Sequence, residues 1–262
     1  MPRAATVAAM ALLAAARASA GTTVPTYAVG TIPVAPGILA VELPLAGTFR
    51  GELGTVLLAQ GTFGDRNPFQ YLSAVSPYAW LHFDGVRDLR LSLAFQEILY
   101  REIAPLGLED AHEERAMARA RLQQPRGGGA LYELLQLDLR SFDDPGGTHR
   151  FVWRPRFRLG QGFNLDAVRV HSLVLYQEVA LRFADATYTT RAFDFFRAFA
   201  GYMWTTRRGV FVTLGVIGQI SLNPPATRYD LWWGPALGLS YRFRPAPAEA
   251  EAPPAPPDVD VQ

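Results

Sequence analysis

The chain has no cysteine, no lysine and no apolar run long enough to cross a bilayer as a helix once its first twenty residues are set aside. Each absence excludes something. Without cysteine there are no disulfides and no thiolate metal sites, so thiol usage says nothing about the redox compartment. All 25 basic side chains are arginine, and against 24 acids they leave a net charge of +1. A dedicated nucleic-acid binder carries a strong basic excess, so that partner class is set aside. No stretch of the later chain reaches the roughly 18 apolar residues of a spanning helix. Neither a G-x-S-x-G nor an H-E-x-x-H motif occurs, and no glycine loop has a phosphate-binding pattern. No catalytic residue, metal or cofactor is therefore assigned, and the chain is not expected to be an enzyme. Yet 49% of the residues are hydrophobic, and that content needs a home.

The first positive signal is at the N-terminus. Met-Pro-Arg, an apolar core over residues 4–16 and the small residues Ala18, Ser19 and Ala20 read as a secretory signal peptide. Residues 1–20 are thus expected to be removed, and the mature chain to start at Gly21. Residues 21–38 hold Pro25, Pro33 and Pro36 without clean periodicity and read as a lead-in segment. After Arg244 the composition changes again, to proline, alanine and four acids without an aromatic, so 244–262 is expected to be a disordered periplasmic tail.

Between these ends the pattern is alternation. In the stretch 39–53, Leu39, Val41, Leu43, Leu45, Phe49 and Leu53 take odd positions while Glu42, Thr48, Arg50 and Glu52 take even ones. Leu89, Leu91, Leu93 and Phe95 alternate with Arg90, Ser92 and Gln96, and the last such stretch runs from Tyr229 to Phe243. Successive strand side chains point to opposite faces of a sheet, so each segment reads as a strand with one apolar face. Strands are expected near 39–53, 70–83, 88–101, 113–124, 130–142, 148–160, 168–183, 190–205, 208–222 and 228–243. Clusters of Gly, Pro, Asn and Asp such as 84–88, 124–129, 143–147, 206–209 and 223–227 separate them. The fold class is all-β, an antiparallel up-and-down barrel of about ten strands, with twelve the alternative. Pro155, inside the strand at 148–160, removes a ladder hydrogen bond and predicts a bulge or bend.

The stretch H-R-F-V-W-R-P-R-F-R-L-G, residues 149–160, poses the central question. Its arginines with interleaved aromatics could grip a nucleic-acid backbone, or they could be one face of a strand. Period two and the near-neutral charge favour the strand. A soluble barrel hides its apolar face, whereas an outer-membrane barrel turns it to lipid and keeps charge inside. Arginine and glycine crowd the polar face. Phe151, Phe157, Tyr229, Tyr241 and Phe243 lie toward strand ends, as interfacial girdles do. An even strand count would bring both chain ends to one side, the periplasm.

The segment L-G-L-S-Y-R-F, with Leu239, Tyr241 and Phe243 at alternate positions, resembles the terminal strand signal of bacterial outer-membrane proteins. That resemblance implies recognition by the barrel-assembly machinery, although this chain continues for nineteen residues past Phe243. The run at 193–223 and R-P-R-F-R-L-G-Q-G are similar to an outer-membrane family known only as a domain of unknown function, which implies no activity. The expected location is the cell outer membrane, with outer-membrane lipid as partner.

On this reading Arg115, Arg119 and Arg121 of one strand, Arg150, Arg154, Arg156 and Arg158 of another, and Glu178 and Arg182 of a third line the lumen. Rings of arginine attract small anionic solutes in channels. A barrel of this size is also narrow enough for side chains to fill it. Glu42, Glu52, Glu113, Asp138, Glu178 and Asp230 are the available counter-charges, needed in either case. The function is therefore a narrow channel or a structural envelope component. One alternative is an outer-membrane protease or lipid hydrolase with a rim site around 102–114, where His112 stands beside Asp110, Glu113 and Glu114. Another is a soluble periplasmic barrel binding an apolar ligand. Of the other histidines, His149 and His171 fall on the apolar face.

Overall fold

In the computed structural model the alternating segments close into one barrel; residues 29–61, 71–101, 111–143, 149–184, 193–206, 208–222 and 229–243 are described. The signal peptide, residues 21–28 of the lead-in and the tail from Arg244 lie outside them. The strands are β1 (Val29–Pro44), β2 (Phe49–Gln60), β3 (Tyr71–Val86), β4 (Leu89–Tyr100), β5 (Ala111–Arg126) and β6 (Gly129–Asp143). There follow β7 (His149–Asn164), β8 (His171–Leu181), the two-residue β9 (Phe183–Ala184), β10 (Phe193–Thr205), β11 (Val210–Leu222) and β12 (Tyr229–Arg242). Because β9 continues β8 along the same edge of β7, the barrel has eleven staves. Each pairs antiparallel with its neighbour in sequence, and β12 closes on β1. Among the described residues there is no helix.

The count differs from ten because the first alternating stretch is a hairpin. Its turn at 45–48 has four residues, so odd positions stay outward in β1 and remain outward in β2. Period two therefore runs unbroken through a reversal of direction. The lead-in is corrected in the same way: β1 begins at Val29, inside it. With an odd number of staves β1 and β12 run parallel, Val29 beside Tyr229 and Glu42 beside Arg242. The chain thus enters the barrel at one end and leaves at the other, contrary to the expectation from an even count. The connections at 45–48, 87–88, 127–128, 165–170 and 206–209 fall at the end where β12 finishes. We call this the turn end.

Burial follows parity. In β7 Val152, Arg154, Arg156, Arg158, Gly160 and Gly162 are buried while Phe151, Trp153 and Leu159 are exposed. Two bulges break the rule usefully. The pairing of β3 with β2 shifts at Ser73, and that of β10 with β8 shifts at Asp194, so Ser73–Ala74 and Asp194–Phe195 both turn inward as consecutive pairs. Pro155 makes no bulge. The β7–β8 register continues past it into β9 unchanged, and only the ladder is interrupted, where Leu181 faces a residue without an N–H.

The interior is filled from two sides. Val34, Ile38, Val56, Leu58, Ala74, Ile98, Tyr176, Phe199, Ile217 and Ala236 form an apolar cluster. Tyr176 and Phe199 stack at 5.0 Å. Glycine makes room for these rings: a Cβ at Gly215 would come within 2.6 Å of the Phe199 ring, and one at Gly54 within 2.4 Å of Tyr78.

The tightest backbone approach is at Gly129, where a Cβ would lie 1.9 Å from the Gly162 carbonyl oxygen. Gly129→Ala is expected to force β6 from β7 and lower stability by roughly 1–3 kcal/mol, the usual cost of overpacking. Gly127→Ala, with no atom within 4 Å of its Cβ, is the neutral control. Unfolding in urea followed by tryptophan fluorescence checks this; equal midpoints for the two variants would contradict it.

Candidate functional site

The charged half of the interior is built by register. One inward row crosses five strands as Arg121, Leu134, Arg158, Glu178 and Arg197, and ends on Gln219 of β11. The next rows pair Gln136 with Arg156 and Asp138 with Arg154. Cross-strand neighbours on one face stand close enough for their side chains to meet, so every carboxylate placed here is within reach of several guanidiniums.

Glu178 shows the result. Its Oε1 accepts from Arg156 Nε and Nη2 at 3.0 and 2.8 Å, and its Oε2 accepts from Arg158 Nε at 2.7 Å. Arg197 Nη1 stands 3.8 Å from Oε1. Asp138 Oδ2 accepts from Arg154 Nε at 2.8 Å and lies 3.5 Å from Arg156 Nη1, while its Oδ1 accepts from Gln136 Nε2 at 2.6 Å. Arg115 and Arg140 are direct cross-strand neighbours of like charge, and Glu113 binds both. Asp194, turned inward by its bulge, binds Arg182 and lies 3.5 Å from Arg154.

Counting inward arginines on this wall gives 115, 119, 121, 140, 150, 154, 156, 158, 182 and 197, ten among the described residues. Against them stand the four carboxylates 113, 138, 178 and 194, an excess of 10 − 4 = 6 positive charges. Aromatic faces take up part of that excess, since a ring quadrupole attracts a cation held over it. Arg119 lies 3.9 Å over Trp80, Arg158 4.4 Å over Tyr176 and Arg197 4.7 Å over Phe195. The wall is thus an immobilised, strongly positive lining.

A second ion cluster sits at the turn end. Glu42 accepts from Arg242 Nε at 2.9 Å across the parallel seam, and lies 3.5 and 3.6 Å from Arg50 and Arg90. Asp84 accepts from Arg90 Nε and Nη2 at 2.7 and 2.9 Å. A cavity of about 20 Å³ lies beside Glu42 and Glu52.

The residues expected to line the lumen therefore face inward: Arg115, Arg119, Arg121, Arg154, Arg156, Arg158 and Glu178 are buried, and Arg150 and Arg182 half-buried. Of the expected counter-charges, Glu113, Asp138 and Glu178 meet the arginine wall and Glu42 serves the seam. Glu52 instead accepts from the Tyr78 hydroxyl at 3.0 Å and contacts His82 Nε2 at 3.3 Å. His82 Nδ1 is 2.8 Å from Ser92 Oγ. Glutamate, histidine and serine are thus bonded in series, with His82 and Ser92 buried at 3% and 4% exposure. Alternation places all three on one face, but their adjacency needs the register of β2, β3 and β4.

The rim cluster does not assemble. Glu113 turns inward, while His112 and Glu114 turn outward, His112 Nε2 lying 2.9 Å from Glu97 Oε1. Asp110 lies outside the described residues. His149 and His171 are on the outer face, bonded to Ser141 and Tyr202 respectively. Leu239 and Tyr241 stand on the outer face of β12 and Phe243 is exposed just past its end, with the last two rings edge to face at 4.5 Å. Asp194 was missed because parity puts it on the wrong face of β10; only the bulge turns it in.

A closed β-barrel with a charged, side-chain-filled interior and an apolar exterior is the class that the fold and site define. No protein-family model matches the chain, and no curated protein matches it.

Glu178→Gln leaves its guanidiniums without their anion, and removing one partner of a buried ion group costs about 3–5 kcal/mol. Glu114→Gln, on the exposed face, is expected to change stability by less than about 1 kcal/mol. Equilibrium unfolding of both variants measures the contrast, and a Glu178→Gln protein as stable as Glu114→Gln would mean the network is not held by that carboxylate.

Proposed function

We propose that the chain is a bacterial outer-membrane β-barrel serving as a structural envelope component, whose filled, arginine-rich interior passes at most water and small anions. The observation that carries this reading is the inverted polarity of the wall. Leu93, Leu135, Phe151 and Val216 are 59–62% exposed, whereas Arg115, Arg154, Arg156 and Arg158 are 2–6% exposed. Exposed apolar area on this scale is unfavourable in water and favourable against lipid.

The outer aromatics support the same placement. Phe151, Trp153, Phe183, Phe196 and Trp233 stand toward one end, and Phe49, Phe163, Trp204 and Phe243 toward the other. Trp153 and Phe163 of β7 are ten residues apart, as are Trp233 and Phe243. At about 3.3 Å per residue and a tilt near 40°, that separation is about 25 Å, the height of a lipid-facing band. The outward Leu239, Tyr241 and Phe243 fit the proposed assembly signal, and the similarity to an uncharacterised outer-membrane family belongs to the same proposal. The short connections are assigned to the periplasmic side.

A second reading, an outer-membrane hydrolase, draws on the Glu52–His82–Ser92 series rather than on the rim. The burial of Ser92 places it second. Labelling of Ser92 by a fluorophosphonate, abolished by Ser92→Ala, would promote it.

Membrane fractionation with heat-dependent gel mobility tests the leading reading, and recovery in the soluble periplasm would overturn it. In planar bilayers the folded protein is expected to give conductance far below that of an open porin, with any residual current carried by anions. A large, non-selective conductance would contradict the filled interior.

A further inference from the structure

The outer face dips across β3 to β6. Two adjacent rows cross β3, β4, β5 and β6: Phe83–Leu91–Ala120–Leu135 and Leu81–Leu93–Ala118–Leu137. In both rows β5 supplies alanine where its neighbours supply leucine. The missing side-chain volume leaves an apolar groove of about 550 Å³, with Ala118 and Ala120 among the residues that line it. The groove offers a lipid chain apolar surface to lie along.

The groove has a charged end. The same strands meet the turn end at the β3–β4 and β5–β6 turns, which carry Arg87, 92% exposed in its side chain, and Arg126, also exposed. Asp88 lies 3.6 Å from Arg87, and Glu133 is half-buried on the outer face of β6. The pocket beside Arg87 is lined by Arg90, Arg121 and Arg242 together with Asp84 and Asp88, but Arg90 is held by Asp84 and Arg242 by Glu42 inside the barrel, so the cations this end turns outward are Arg87 and Arg126. Leu91 is four residues from Arg87 and Ala120 six from Arg126. At about 3.3 Å per residue this is about 13–20 Å along tilted strands, which falls within one leaflet of a hydrocarbon core about 30 Å thick. A headgroup at the turns would therefore have its acyl chain at the depth of the groove.

We propose that this groove and the two turns form a binding site for one anionic phospholipid, its acyl chain against Ala118 and Ala120 and its phosphate between Arg87 and Arg126. The site rests on the outer-membrane reading above. The two parts do different work. The groove contributes contact for any lipid of matching chain, and the guanidiniums discriminate by charge, binding phosphate through paired N–H donors.

The test is native mass spectrometry of the full-length protein released from detergent, titrated with phosphatidylglycerol and phosphatidylcholine of identical acyl chains. One retained phosphatidylglycerol is expected, preferred on the order of tenfold, since each surface arginine adds a modest attraction to anionic lipid. Arg87→Gln with Arg126→Gln should remove the preference but leave weak retention of both lipids. Ala118→Leu with Ala120→Leu should reduce retention of both. Equal retention of the two lipids, or a preference indifferent to all four substitutions, would overturn the site. Flotation with lipid vesicles separates the two failures. Protein that floats without lipid preference overturns the site alone, and protein that stays soluble overturns the membrane reading with it.

Discussion

Ten inward arginines share four carboxylates on one wall of this barrel, and the rest of the structure is arranged around that imbalance. A guanidinium taken out of water is tolerated only when its charge is answered locally. Glu178 answers several at once, with Oε1 shared between Arg156 of β7 and Arg197 of β10 and Oε2 held by Arg158. Asp138 and Glu113 do the same on adjacent rows. Where carboxylates run out, Trp80, Tyr176 and Phe195 offer ring faces. Tyr176 links the apolar cluster to the ion network in one interior, since it stacks against Phe199 and also receives Arg158 over its ring.

The alternation in the sequence carried most of this. Parity alone assigns the inward face of β5, β7, β8 and β12, and with it the arginine ladders, because a one-residue slip would expose every charge to the wrong side. What parity cannot carry is anything that preserves or resets it. The four-residue turn at 45–48 preserves it, so two strands look like one. The bulge at Asp194 resets it, so a buried counter-ion looks outward-facing. Cross-strand neighbours such as Ser92 and His82 depend on register, which is decided by turns rather than by periodicity. Pro155 was legible as a break in the ladder, but not as one that leaves the register intact.

The odd number of staves follows from the hidden hairpin and has its own energetic consequence. A barrel whose first and last strands are parallel must close through the slightly weaker ladder. The Glu42–Arg242 pair sits on that seam in direct register, and Arg50 and Arg90 buttress the same carboxylate. A charged pair in a shielded setting fixes register more firmly than leucine against leucine would, because any slip separates the charges. The seam is thus specified by an ion pair where the other ten interfaces are specified by short turns and hairpin order.

Interior and exterior then obey opposite rules. Inside, volume is used up by arginine, aromatic rings and the glycines that admit them, so little is left for a solute. Outside, leucine and phenylalanine dominate the wall, and variation in side-chain size is one way such a wall can acquire specificity. A charged groove inside a filled barrel would be inaccessible to a ligand, whereas a dent in the outer wall is open to whatever surrounds it. Ala118 and Ala120 lie beyond the reach of the interior network, since β5 sends them outward while Met117, Arg119 and Arg121 point in. Their smallness therefore cannot be explained by interior packing. It changes only what the barrel presents to its surroundings, which is why the outer face of β5 rather than the arginine wall is where recognition of another molecule is to be sought.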